Sequence, residues 1–97
     1  MADMARVFKA LGDPTRLAIY ELIREGGKGS YRDDEVANSI SWIASRFNVS
    51  LSTVSHHIKE LRNAGLIRCE KRGQTVYCSP DPELIEEVQR FMAGVKA

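Results

Sequence analysis

The chain has 97 residues, 43% apolar and 28% charged, with 14 Lys/Arg against 13 Asp/Glu for a net charge of +1. Such a composition suits a folded chain of single-domain size with a modest core rather than a disordered segment, and residues 1–97 are read as one domain. No stretch approaches the about twenty apolar residues of a membrane helix, nothing reads as a secretory leader, and two cysteines are too few for a disulfide framework; a soluble, cytoplasmic protein without a membrane partner is expected.

Met4, Val7, Phe8 and Leu11 recur at helical spacing and predict a short amphipathic first helix that Gly12 ends. Asp13 suits an N-cap and Pro14 the first helical position, where its missing N–H costs nothing. From there a helix runs to about Glu25, with Leu17, Ala18, Ile19, Tyr20, Leu22 and Ile23 apolar over much of its circumference, and it is read as the central buried helix. Gly26-Gly27 stops it. Residues 26–40 begin glycine-rich and turn acidic. Asp33-Asp34-Glu35 reads as a solvated loop, as an acidic first turn favoured by the helix dipole, or as carboxylates for a divalent metal.

Ser41–Phe47 forms a short Ser-rich apolar segment, and Asn48-Val49 separates it from a helix with both ends marked. Ser50 caps the start and Gly65 takes the left-handed conformation at the end. Leu51, Val54, Ile58 and Leu61 lie along one side, while Ser52, Thr53, Ser55, His56, Lys59 and Arg62 lie on the other. Hydroxyls and imidazole can bond base edges, and Lys and Arg neutralise phosphates, so this face suits a DNA major groove. The plainer reading is a solvated amphipathic helix. Three neighbours weigh against it: the preceding helix and turn, a basic hairpin after it, and the local charge. Residues 46–76 carry six Lys/Arg and two Asp/Glu, leaving the rest of the chain net acidic.

In the hairpin, Arg68–Cys78, two short strands flank a basic turn containing glycine. With Gly73-Gln74 at the centre, Cys69 faces Cys78; a turn centred on Arg72-Gly73 would pair Cys69 with Val76 instead. Ser79-Pro80-Asp81-Pro82 then breaks the strand and caps a last helix from about Pro82 to Val95. Leu84, Ile85, Val88, Phe91, Met92 and Val95 give it a wide apolar face. Together with Met4, Val7, Phe8 and Leu11, that face reads as a homodimer interface; the alternative is that both terminal helices cap their own core.

Ser-x-Ser-Thr-Val-Ser-x-His-Ile-x-x-Leu-x-x-Ala-Gly-Leu-Ile, followed by a short strand, a basic turn and Thr-Val-Tyr, resembles the ArsR-type (ArsR/SmtB) winged-helix transcriptional repressors. Upstream, Phe8-Lys9-Ala10-Leu11-Gly12-Asp13-Pro14-Thr15-Arg16-Leu17-Ala18-Ile19 resembles the N-terminal signature of the same family, so the likeness covers residues of about 7–79. It implies an α+β, mainly α, winged helix-turn-helix with a two-stranded β wing and N- and C-terminal dimerisation helices. It also implies a homodimeric repressor on an inverted-repeat operator in double-stranded DNA, released by an effector. Ser52, Thr53, Ser55, His56 and Lys59 would face the groove, and Arg62, Lys71, Arg72 and Gln74 would serve phosphates or the minor groove. Leu51 departs from the polar residue many relatives carry there, although a thymine methyl could meet it. Residues 26–40 exceed the family's usual link. The rival reading is a winged-helix protein-interaction module without DNA binding, whose recognition face would be apolar or its wing neutral.

Catalysis has little support: adjacent His56 and His57 point about 100° apart on a helix, and no Gly-rich phosphate loop, HExxH or Cys-x-x-Cys is present. No enzyme and no cofactor are expected. Many relatives bind thiophilic metals through Cys-x-Cys where this chain has Ser39 and Ser41, and hydroxyls are poor ligands for soft metals. Others use Asp and His on the last helix; Asp81 and Glu83 occupy the first pair, with no matching ligand near Gly94 or Ala97. Cys69 and Cys78 are left as candidates for a partial metal site or a thiol switch, set against a structural role as small wing residues.

Overall fold

Every helix in the described part of the chain starts at a short polar side chain that satisfies a backbone donor which the helix itself leaves free. Asp3 accepts from Arg6 N at 3.2 Å, Asp13 from Arg16 N at 2.9 Å, Ser39 from Trp42 N at 3.1 Å, Ser50 from Thr53 N at 3.2 Å, and Asp81 from Glu83 N at 3.0 Å. The structure, a computed structural model, describes residues 2–26 and 38–94. The elements that follow these caps are α1 (Met4–Leu11), α2 (Pro14–Gly26), α3 (Ile40–Ser45), α4 (Leu51–Asn63) and α5 (Pro82–Gly94). Between α4 and α5 stand β1 (Ile67–Arg72) and β2 (Thr75–Pro80). The short helix before α4 therefore starts one residue earlier and ends two earlier than its sequence limits, because Ser39 caps it and Arg46 closes it. Val95 and Asp33-Asp34-Glu35 lie outside the described residues.

The core is assembled from one side of each helix. Val7 of α1, Ile19 and Ile23 of α2, Ile43 of α3, and Val54 and Leu61 of α4 are fully buried, with Leu66 and Leu84 nearly so. Burial of such side chains contributes about 1.5–3 kcal/mol each. Two expectations are corrected here. The second helix is not wrapped all round: Leu17 and Ala18 are exposed, because the other elements cover only the side bearing Ile19, Tyr20 and Ile23. Leu51 does not join the stripe of Val54, Ile58 and Leu61 and is 55% exposed, since it stands in the first turn of α4 beyond the reach of the core.

The end of α4 fixes how the wing leaves it. Gly65 has φ +85°, its N–H donates to Arg62 O at 2.9 Å, and Leu66 N donates to Leu61 O at 3.0 Å. This is a Schellman closure, in which the left-handed glycine turns the chain and the buried Leu66 and Leu61 lock it. β1 and β2 pair antiparallel, with Arg72 opposite Thr75 and Cys69 opposite Cys78. The turn is thus Gly73-Gln74, with Gly73 at φ +63°. On its other edge β2 meets the segment entering α3: Ser39 bridges to Tyr77, and Cys78 N donates to Asn38 O at 2.8 Å.

Asn38 has φ +67°, and its Nδ2 donates to Ile23 O at 3.0 Å. Its side chain fills the space beside Gly26, where a Cβ would stand 2.0 Å from Asn38 Oδ1. One residue therefore ties the end of α2 to the wing at the threshold of α3. The resulting architecture is mainly α, a winged helix-turn-helix in which α3, a turn and α4 are followed by a two-stranded wing.

Candidate nucleic-acid interface

Helix α4 is held from behind and open in front. Val54, Ile58 and Leu61 are buried, while Ser52, Thr53, Ser55, His56, Lys59 and Arg62 are all exposed on the outer side. At its N-terminus the Ser50 Oγ lies 3.1 Å from Ser52 Oγ and 2.9 Å from Thr53 Oγ1. Three hydroxyls thus gather over the first-turn N–H groups, where the helix dipole favours an anion.

His56 and His57 diverge as adjacent helical residues must. Their rings are 5.9 Å apart at 54°, with His56 exposed and His57 half-buried. His57 Nδ1 stands 3.3 Å from Arg16 Nη1, and because a guanidinium only donates, Nδ1 is the acceptor. Arg16 Nε also donates to Ala10 O at 2.6 Å, at the end of α1. The backbone N–H of Arg16 holds the Asp13 carboxyl below its ordinary range against the opposing effect of burial, and the Arg16 charge acts in the same direction as that N–H. His57 therefore positions the recognition helix on the α1–α2 junction. Sequence reasoning did not assign Arg16 any role; the available signal was its place in the Asp13-Pro14-Thr15-Arg16 stretch.

On the wing, Lys71, Arg72 and Gln74 are exposed. Arg72 is partly engaged: its Nε donates to Glu70 Oε1 at 2.5 Å, and its guanidinium lies 5.1 Å from the Tyr77 ring centroid. A groove of about 260 Å³ separates the wing (Gln74, Thr75, Val76) from Leu51 and Ser55 of α4. Arg46, in the turn between α3 and α4, lies 4.5 Å over the Trp42 ring and was assigned no role from sequence beyond its charge. Arg62 is close enough to Cys69 and Cys78 to favour their ionised forms, which places its cation toward the base of the wing.

The terminal helices present a second surface. Phe8 and Phe91 pack with ring centroids 5.9 Å apart, yet remain 41% and 45% exposed, and Met92 beside them is 55% exposed. Met4, Leu11, Ile85 and Val88 are half-buried. Val7 and Leu84, expected at an interface between subunits, are instead taken up by the chain's own core at 0% and 4% exposure. Helical spacing set them on the same side as their neighbours, but both belong to the chain's own buried cluster.

Ser39 and Ser41 sit at the start of α3 with their Oγ atoms 3.4 Å apart, and Ser39 is occupied as the cap. Asp81 is likewise committed, to the start of α5 and to Arg68 Nε and Nη2 at 3.2 and 3.3 Å. Among the described residues no three His, Cys, Asp or Glu side chains gather as a metal site. Cys69 and Cys78 are free thiols with Sγ atoms 4.0 Å apart.

A buried-backed helix offered to solvent after a short helix and turn, with a basic wing beside it, defines a winged helix-turn-helix DNA-binding regulator. A helix-turn-helix domain family matches residues 11–70. Over 89 residues the chain is 34% identical to the transcriptional repressor SdpR of Bacillus subtilis (strain 168), covering 92% of this chain and 88% of that protein. It is 37% identical over 86 residues to the cadmium resistance transcriptional regulatory protein CadC homolog of Staphylococcus aureus, covering 89% of this chain and 64% of that one. The crystal structure of the ArsR family transcriptional regulator RHA00566 superposes with a TM-score of 0.74 at 28% identity, over 93% of this chain and 88% of that one. The chain belongs to the ArsR-type winged helix-turn-helix family of transcriptional regulators, and it is a regulator rather than an enzyme.

Proposed function

We propose that the protein is a homodimeric repressor that binds an inverted-repeat operator through α4 and its wing, and that an effector relieves this binding. The observation that carries the reading is the outer side of α4, where Ser52, Thr53, Ser55, His56 and Lys59 are exposed while Val54, Ile58 and Leu61 anchor the helix. Ser55 and His56 stand one to two turns into the helix and are proposed to meet base edges. Ser52 and Thr53, beside the cap hydroxyl, are proposed to meet a phosphate. Lys59, Arg62, Lys71, Arg72 and Gln74 would neutralise or bond the backbone on either side, with Arg72 contributing least because Glu70 already holds it.

Dimerisation is proposed through the surface of Phe8, Phe91 and Met92, bordered by Met4, Leu11, Ile85 and Val88. Large apolar side chains clustered and exposed on two helices are supported best by a second copy covering them. Two subunits related by a two-fold axis present two copies of α4, so half-sites should lie about one helical turn apart or slightly more. Selecting bound fragments from the source's genomic DNA tests the reading. Recovery of an imperfect inverted repeat supports it, and enrichment of no sequence contradicts it.

A further inference from the structure

Cys69 and Cys78 are directly opposed across the wing, one half-buried and one at 3% exposure. Cys78 N–H points away from β1, to Asn38 O at 2.8 Å, so the two cysteines form a non-hydrogen-bonded pair. Such pairs bring Cα atoms to about 4.5 Å, inside the range a disulfide spans. Their Sγ atoms are 4.0 Å apart, and closing to about 2.05 Å is a matter of side-chain rotation at two facing positions.

We propose that Cys69 and Cys78 form a hydroperoxide-reactive dithiol that closes to a reversible disulfide inside one chain and weakens operator binding. The loss of binding rests on the DNA-binding reading above; the disulfide does not. Cys69 is the attacking group, being the more exposed of the two, and the Cys78 S–H donating to it holds its thiol below the ordinary range, at about 7, with the Arg62 cation acting in the same direction. Cys78 is pushed up by that same hydrogen bond and by burial, and so remains protonated as the resolving thiol. In the first step the Cys69 thiolate attacks one oxygen of hydrogen peroxide. The S–O bond forms, the O–O bond breaks, and the departing hydroxide takes a proton to become water. Cys78 sulfur then attacks the Cys69 sulfenic acid; the S–S bond forms, the S–O bond breaks, and the Cys78 proton leaves with the hydroxyl as a second water. Two thiols and one peroxide give one disulfide and two waters, and a dithiol reductant reverses the change.

The effect reaches the recognition helix through the backbone of Cys78. That residue carries the hydrogen bond to Asn38, and Asn38 is strained at φ +67° at the threshold of α3. Rotating the Cys78 side chain toward Cys69 withdraws it from the buried cluster and perturbs that backbone where Asn38 links the wing to α2 and α3.

The test is hydrogen peroxide treatment of the reduced protein, followed by thiol counting, intact mass and operator affinity. The expected result is loss of both thiols with a mass decrease of two hydrogens within one chain, and an affinity drop of about tenfold, inside the usual span of coupling between sites, all restored by dithiothreitol. Cys69→Ser and Cys78→Ser should each keep full affinity after peroxide, and Cys78→Ser should retain a sulfenic acid that dimedone traps. Persistence of two free thiols, or a bond only between chains, overturns the disulfide. A disulfide that leaves operator affinity unchanged overturns the switch. If the reduced protein selects no operator, the DNA-binding reading and the switch both fail, while thiol count and mass still decide the disulfide.

Discussion

Arg16 Nη1 and His57 Nδ1 stand 3.3 Å apart across 41 residues of sequence, joining the start of α2 to the middle of α4. With Arg16 Nε on Ala10 O, one guanidinium fixes the recognition helix to the α1–α2 corner. Arg16→Ala removes both bonds and leaves acceptors behind, so it should cost about 1–3 kcal/mol. Urea unfolding followed by circular dichroism measures this, and an unchanged midpoint would show that the corner does not hold α4. His57→Ala should lose part of the same energy, and the double variant should fall short of the sum of the two.

Gly65 should resist substitution for conformational reasons alone. At φ +85° nothing lies within 4 Å of an added Cβ, so the loss in Gly65→Ala is the cost of a left-handed L-residue, about 1–2 kcal/mol. Gly65→Asn should be milder, as Asn visits that region more readily. Gly26→Ala fails differently, by steric conflict with Asn38, and should also loosen the tie from Asn38 to Ile23 O. Thermal denaturation of the three variants separates these causes.

Acid sensitivity should centre partly on Asp81. Burial raises its pKa, but the Arg68 hydrogen bond and the N–H groups of Leu84 and Glu83 outweigh it and hold the carboxyl below 3.8. A folded pKa below the unfolded one contributes stability that is complete above the unfolded value and is lost as pH falls through the folded one. The stability of Asp81→Asn should therefore change less than that of the wild type between about pH 5 and pH 2. Asparagine keeps the capping oxygen, whereas Asp81→Ala should also lose about 1 kcal/mol near neutral pH. Equal pH slopes for wild type and Asp81→Asn would contradict this account.

The terminal surface predicts assembly. Sedimentation at micromolar protein should give about twice the 10.9 kDa chain mass. Phe91→Glu places a carboxylate where the proposed interface closes and should give monomers, since burying it unpaired costs several kcal/mol. A wild-type monomer at that concentration would remove the dimer from the account.

Much of this was legible in the sequence because it is local. Asp13-Pro14, Ser50 and Gly65 announce helix ends through their own backbone chemistry, and the polar side of α4 follows from helical spacing. The wing register was not settled until the turn was, since shifting the centre by one residue exchanges Cys78 for Val76 opposite Cys69; the pairing of Arg72 with Thr75 decides it. Spacing also cannot say what lies beyond a helix face. Val7 and Phe8 share the apolar side of α1, yet one is sealed in the core and the other is open. Leu51 obeys the period of Val54 and Ile58 but falls past the edge of the core. Arg16 on His57 and Asn38 between Ile23 and Cys78 are long-range contacts, and nothing in their neighbours' residue types announces them.

The central claim is that the outer side of α4 reads DNA. Its most direct measurement is the affinity of His56→Ala for the selected operator and for a scrambled duplex, in competition at two salt concentrations, with Lys71→Ala beside it. Loss of a base contact at His56 should cost about 1–3 kcal/mol on the operator and little on the scrambled duplex, relaxing discrimination at one base pair. Lys71→Ala should weaken both duplexes alike and flatten the salt dependence by about one unit of slope. Unchanged affinity of both variants for both duplexes would mean that neither α4 nor the wing faces DNA.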